Sequence, residues 1–417
     1  MSATVQRART ALAHPAAGAA LVTVGVSGTQ GLIGLLTARW LGPTDRGVVV
    51  TGVTASSLLL LLGGLGLPPT LRMTLARPQG GLSFRGMVVL VAPLVALVCL
   101  PLALLAAGVL RVFGDVHRPL TLLAFAAFCV VAVCATLLRE GLHGTGRHRW
   151  AVGGDLLSAV VLLGSVGVLR ATDRLGVESY FVAATLGGLC GIALLLTCGW
   201  RDPDPPGTRP RRGALLRLSR GSLAWALLAA FAWKGDRLLL GLVTDPTQVG
   251  VYGTAATLSD VAWLVPVAMS TVLARRVSAE DSAAMVPRWR RRMLGLTALA
   301  AVPVGVLGTV VLTRLLGPGY AGGVPALWLL LLGTLALTSY QADLAGCQGL
   351  GRFRAGWQSA LAGSVTLVAL APPLALALGG TGCALASVVA YAAMAVVCRR
   401  QLLALLPTPH PRGPETP

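Results

Sequence analysis

Three ionisable residues, Lys234, Asp236 and Arg237, fall within four positions of a stretch that is otherwise apolar from 222 to 243. On a helix, Lys234 and Arg237 are three positions apart and project from neighbouring faces, whereas Asp236 lies about 200° around from Lys234. Such a helix would contact two different neighbours. Two adjacent cations suit an anionic group, and the planar fork of arginine matches oxyanions in particular. The same residues could instead be neutralised in an ion pair, by Asp236 itself or by Asp260 in the next apolar stretch. Asp260 and Asp343 are two further carboxylates in apolar surroundings. Either could take a coupling proton or cation, or serve as a packing salt bridge or hydrogen bond between helices.

The elements that position these residues are membrane spans. The 417 residues are 55% hydrophobic and 12% charged, with a mean hydropathy of +0.77; a soluble protein would be about one-quarter charged. Apolar runs of about 20 residues predict twelve spans, near 17–38, 47–67, 86–110, 119–138, 152–169, 178–199, 222–243, 247–273, 293–313, 324–345, 357–378 and 382–398. Charge inside such a run costs on the order of 3 kcal/mol and faces the bundle interior. The longest connections, 200–221 and 274–292, leave no room for a soluble catalytic domain, and no enzymatic activity is expected.

The formal charge of +19 would suggest nucleic acid in a soluble chain. Here twenty-five of the 34 basic residues fall at the two ends and in alternate connections, seven in the other connections and two inside span seven. That asymmetry predicts both termini in the cytoplasm and no nucleic-acid partner. Arg209, Arg211, Arg212, Arg217 and Arg220 form one cytoplasmic cluster, and Arg288, Arg290, Arg291 and Arg292 another, both suited to anionic headgroups or to a cytoplasmic docking partner. The first apolar run is too long for a cleaved signal and is expected to be retained. The eight cysteines read as small packing residues, since no metal-ligand spacing is present; no cofactor or metal is expected. Gly25, Gly28, Gly31 and Gly34 in span one predict close approach of a neighbouring helix. Pro93, Pro101, Pro266, Pro303 and the pair Pro372 and Pro373 predict kinks or interruptions.

The chain also repeats itself. Pro43-Thr44-x-x-Gly47-Val48 recurs as Pro246-Thr247-x-x-Gly250-Val251, and Arg111-x-x-Gly114 as Arg314-x-x-Gly317, both at an offset of 203. Gly144-x-Gly146-Arg147-x-Arg149 recurs as Gly349-x-Gly351-Arg352-x-Arg354 at an offset of 205. Each match is short, but all three fall in order at equivalent connections of two six-span halves. Because six is even, the repeats are parallel, related by an axis along the membrane normal. The expected organisation is an N-terminal six-helix bundle over 1–200, a basic cytoplasmic linker over 201–221, a C-terminal six-helix bundle over 222–406 and a disordered tail over 407–417. Rocking of one bundle against the other would open a central cleft to either face. Arg39, at the outer end of span one, and Arg72, past the inner end of span two, could line its two mouths or act as anchors that reach the headgroups.

The stretch Leu35-Leu36-Thr37-Ala38-Arg39-Trp40-Leu41-Gly42-Pro43-Thr44-Asp45-Arg46-Gly47 resembles the first-span exit of polysaccharide flippases, the oligosaccharide branch of the MATE-like superfamily. Trp233-Lys234-Gly235-Asp236-Arg237-Leu238-Leu239-Leu240-Gly241, continuing to Val249-Gly250-Val251-Tyr252, resembles the seventh-span signature of the same family. The resemblance implies an all-α MATE-like fold in the cytoplasmic membrane and transbilayer flipping or export of a lipid-linked saccharide precursor. It implies as partners the lipid-linked glycan, membrane lipids and polysaccharide assembly enzymes. Such a cargo carries a phosphate or pyrophosphate, which Lys234 and Arg237 would bind in the cleft, with Asp236, Arg39 and Arg72 completing the candidate substrate-binding set. Peptidoglycan lipid flippases generally have fourteen spans, against twelve here. A cation-coupled multidrug exporter is the alternative within transport, although span one lacks the acidic residue expected of one. A membrane glycosyltransferase or polymerase would need a larger outer loop, and a non-transporting scaffold for polysaccharide assembly stays open.

Overall fold

The computed structural model describes residues 15–75, 83–201, 212–280, 282–352 and 354–405. Side chains are described from residue 28 onward, omitting 69, 72–74, 100, 201 and 212–222 apart from Ser219. Residues 202–211 of the expected linker, the tail over 407–417 and the side chain of Arg72 therefore lie outside the described residues.

Every regular element among the described residues is helical. In chain order they are α1 (Pro15–Gly63), α2 (Leu67–Leu75), α3 (Phe84–Phe113), α4 (Pro119–Gly144), α5 (His148–Ala171) and α6 (Val177–Arg201). Then come α7 (Arg212–Val243), α8 (Pro246–Glu280), α9 (Val286–Val310), α10 (Val324–Gly349) and α11 (Arg354–Leu403). A π-turn over Val311–Leu315 and a 3-10 turn over Pro318–Gly323 join α9 to α10. Large apolar side chains on these helices point outward, among them Leu97, Leu299 and Leu376, each at least 70% exposed. In water such faces would be costly; in lipid they are solvated.

Among the described residues, eight helices are long and apolar enough to cross a membrane, or nine if the two arms of α3, bent by 42° before Pro101, are one span. The expected twelve ranges nevertheless each fall on a helical stretch. Two of the eight, α1 and α11, are each two stretches joined across a kink, at Gly42 (φ 80°) and Gly379 (φ 58°). The second break falls six residues after Pro373, because α11 runs on through both prolines. The long helix α7 is not among the eight; Lys234, Asp236 and Arg237 depress its apolar character over one short stretch.

Local chemistry explains the corners. Ser83 caps α3 by accepting a hydrogen bond from the Gly86 amide at 2.9 Å. Asp245 caps α8 by accepting one from the Gln248 amide at 2.9 Å, with Pro246 at the first helical position, where no amide hydrogen is needed. The repeat is visible in such detail. Gly146 and Gly351 both have positive φ, 81° and 70°, and the following arginine amides reach back five residues, Arg147 to Leu142 O (2.9 Å) and Arg352 to Cys347 O (2.8 Å). Both are the same left-handed helix terminus. The match at Gly114 and Gly317 is one of position only, since their φ values are −108° and 91°.

One apolar core is built from residues between Ile33 and Leu195 together with Leu238. Two others come from α7 to α11 and the turns between them, one of them taking in Val50 of α1. A fourth places Ala38 against Ala255, Tyr320 and Leu327. The helix α1 thus belongs to both sides and packs along α8. The glycine stripe of span one is not what permits this. A Cβ on Gly28 or Gly31 would meet nothing within 4 Å, and one on Gly34 would meet side chains, Arg46 and Thr257. The close approach is at Gly47, whose added Cβ would run into the Pro246 carbonyl, and reciprocally at Gly250, against the Pro43 carbonyl.

Replacing Gly146 or Gly351 by alanine puts a Cβ on left-handed backbone and is expected to cost about 1–2 kcal/mol each. The melting temperature of the detergent-solubilised protein should fall for both, while Gly28→Ala and Gly31→Ala leave it unchanged. A drop at Gly31 with none at Gly351 would contradict this placement.

Candidate functional site

The site grows out of α7. Asp236, only 2% exposed, accepts hydrogen bonds from the Tyr252 hydroxyl of α8, from Ser387 Oγ of α11 at 3.1 Å and from the Arg237 amide at 2.8 Å. The thiol of Cys383 donates to the Asp236 backbone carbonyl at 3.2 Å. A buried carboxylate needs this many donors to offset lost hydration. It therefore ties α7, α8 and α11 together.

Arg237 points to the other neighbour and donates to Asp260 Oδ2 at 3.1 Å. This is the ion pair between the seventh and eighth predicted spans that the sequence left as one of two options. Its members differ in access: the Arg237 side chain is 11% exposed and that of Asp260 37%. Lys234 is half-buried, with its ammonium 5.4 Å from the centroid of the Trp233 ring, a cation–π distance. No carboxylate forms a salt bridge with it among the described residues. With both carboxylates ionised, Lys234, Asp236, Arg237 and Asp260 sum to zero charge.

Beside the cluster is a cavity of about 20 Å³, lined by Trp233, Asp236, Arg237, Asp260, Trp263 and Tyr391 among others. It has room for about one water-sized guest. Two of its lining residues carry buried nitrogens, Arg237 Nε and Trp263 Nε1, with no acceptor among the described residues. The lining comes from α7, α8, α10 and α11, so this space lies inside the C-terminal helices and cannot itself hold a saccharide.

The other expected site residues lie apart. Asp343 is fully buried and salt-bridged to Arg290 of α9 at 3.3 Å; it serves as a helix-packing bridge, and Arg290 leaves the exposed basic cluster to make it. Arg288, Arg291 and Arg292 remain exposed. Arg39 is exposed near the C-terminal end of the first arm of α1, its guanidinium 3.4 Å from the Leu315 carbonyl. That contact joins the two halves of the sequence. Two more do so nearby: Tyr320 donates to the Ala38 carbonyl at 2.8 Å, and Thr44 and Thr247 share a hydrogen bond of 2.9 Å. The two threonines are repeat counterparts, so the halves meet through the same residue of each copy.

One residue of this region is absent from the predicted site. Arg46 falls in the connection before Gly47, where span two is predicted to start. Helix α1 resumes at Pro43 after the break at Gly42, and Arg46 is buried in the first turn, 6% exposed. Its guanidinium donates to Thr37 Oγ1 at 2.9 Å. The signal for it in the sequence was Pro43, a residue favoured at the first position of a helix.

Comparison with known proteins places this architecture. The lipid II flippase MurJ in an inward closed conformation superposes with a TM-score of 0.77 at 13% identity, over 92% of this chain and 87% of that one. An inward-facing multidrug resistance MATE family transporter of the MOP superfamily gives 0.69 at 15% identity, over 93% and 98%. A MOP superfamily transporter from Pyrococcus furiosus, described as having a binding pocket of reverse polarity, gives 0.60 at 16% identity, over 94% and 95%. At these identities the likeness establishes the fold, that of multi-pass membrane transporters. No curated protein matches the sequence. The model of the family described as polysaccharide biosynthesis protein matches residues 17–274, more than half of the chain, and the chain belongs to that family.

Proposed function

We propose that the protein flips or exports a lipid-linked oligosaccharide or polysaccharide precursor across the cytoplasmic membrane by alternating access. The observation that carries this reading is the Arg237–Asp260 pair on α7 and α8, with its arginine buried and its carboxylate partly exposed, in a chain of a polysaccharide biosynthesis family. Unlike the Arg290–Asp343 pair, whose carboxylate is fully buried, this pair leaves its carboxylate accessible to exchange partners.

In this reading the kinked helices α1 and α11 each cross the membrane twice. With single crossings by the bent α3, by α7 and by α4, α5, α6, α8, α9 and α10, they make twelve crossings in two six-helix halves, with both termini cytoplasmic. The phosphate or pyrophosphate of the cargo competes with Asp260 for Arg237, and Lys234 adds a second cation. Displacement leaves Asp260 without its partner, which favours its taking a proton or cation. Of the two coupling candidates Asp260 is the accessible one, since Asp343 is sealed against Arg290. At the outer face, Thr44 with Thr247, Tyr320 with the Ala38 carbonyl and Arg39 with Leu315 form the closure that must part for release.

Two outcomes test this. Replacing Arg237 by Met removes the fork and strands Asp260, and is expected to reduce surface polymer export at least tenfold with accumulation of lipid-linked precursor on the inner leaflet. Normal export would remove the binding role, and drug hypersensitivity with unchanged glycans would point to a multidrug exporter. Cysteines at positions 44 and 247, oxidised to a disulfide, should hold the outer closure shut and stop export until a reductant is added; continued export by the fully cross-linked protein would refute opening at this seam.

A further inference from the structure

We infer that Arg46 is a second anion-binding residue, placed beneath the outer closure to hold the phosphate of the cargo as it leaves Arg237. This inference rests on the reading that the cargo is an anionic lipid-linked saccharide.

Four observations converge. Arg46 is buried and makes no salt bridge among the described residues, whereas the buried Arg237 and the largely buried Arg290 each have a carboxylate. Its Nε has no hydrogen-bond partner, and Thr37 takes a single bond from its Nη1. The guanidinium lies at the junction of the halves: a Cβ built on Gly34 would be 3.3 Å from Arg46 Nη2 and 3.4 Å from the Thr257 methyl group of α8. Finally, at the repeat offset of 203 the counterpart of Arg237 is Gly34 and that of Asp236 is Ile33, while the counterpart of Asp260 is Ser57.

Near the place that Arg237 holds in one half, the other half therefore has a guanidinium that comes from the next arm of the helix. It comes without either carboxylate. Lys234, Asp236, Arg237 and Asp260 together sum to zero charge, whereas Arg46 makes no salt bridge among the described residues. A guanidinium kept out of water with open donors has a strong preference for a multivalent oxyanion. Arg46 follows Thr44 by two residues, so an anion held there lies directly under the contact that opens outward.

The test uses purified full-length protein in detergent, with farnesyl diphosphate, farnesol and inorganic pyrophosphate as probes and thermal stabilisation as the readout. Farnesyl diphosphate is expected to stabilise the unmodified protein and farnesol not to. Arg46→Met should weaken that stabilisation at least tenfold in probe concentration, with Arg46→Lys retaining part of it. Without probe, Arg46→Met should melt at the same or a higher temperature, because an unpaired buried charge has been removed. Equal binding by Arg46→Met and the unmodified protein would overturn the assignment while leaving the flippase reading intact. So would a lower melting temperature of the unliganded variant, which marks a structural arginine. If pyrophosphate stabilises as well as farnesyl diphosphate and is lost with Arg46, the anion site stands and the lipid-linked cargo falls. If the unmodified protein does not distinguish farnesyl diphosphate from farnesol, both fall together.

Discussion

A guanidinium out of reach of bulk water has to find an anion, because removing its hydration costs several kcal/mol that ordinary packing does not return. That constraint shapes this protein. Arg237 meets it with Asp260 and thereby joins α7 to α8; Arg290 meets it with Asp343 and joins α9 to α10. Asp236 meets the converse requirement with donors from α8 and α11. The C-terminal helices are thus held by a few polar contacts whose partners are named by charge, set within apolar surfaces that would tolerate many arrangements. In lipid, where apolar faces have little preference for one another, such contacts and small-residue approaches select the packing.

The second determinant is backbone proximity where the two sequence halves meet. Pro43 and Pro246 each start a helix, and one turn later Gly47 and Gly250 each present a bare backbone to the carbonyl of the opposite proline. Side chains there would hold the helices apart, and the hydrogen bond between Thr44 and Thr247 could not form.

Much of this was legible in the sequence, because spans and caps are local. Each apolar run falls on a helical stretch, though α7 starts at Arg212 and α8 runs on to Glu280, well beyond the runs at 222–243 and 247–273. The Gly-x-Gly-Arg repeats correspond to two alike helix termini. The charged triplet on span seven stood out for the same reason. What the sequence concealed was set by contacts distant in the chain. Ser387 and Tyr252 as donors to Asp236, and Arg290 as the partner of Asp343, require the helices to be assembled first. Arg46 falls just before the apolar run that predicts span two, although Pro43 marks a helix start. The glycines of span one were read as the packing stripe, while those that do the packing, Gly47 and Gly250, stood out only as markers of the repeat.

The bond between Thr44 and Thr247 joins a residue to its own copy, which is how identical subunits meet across a two-fold axis. In a true homodimer any substitution at such a contact is made twice, so a charge introduced there faces its own repetition. Joining the copies in one chain lifts that restriction. One copy of the repeat can keep glycine and isoleucine at 34 and 33 while the other carries Arg237 and Asp236, so two related stretches of sequence present unlike chemistry. A path with two different ends needs that inequality, and here covalent linkage of the halves is what permits it.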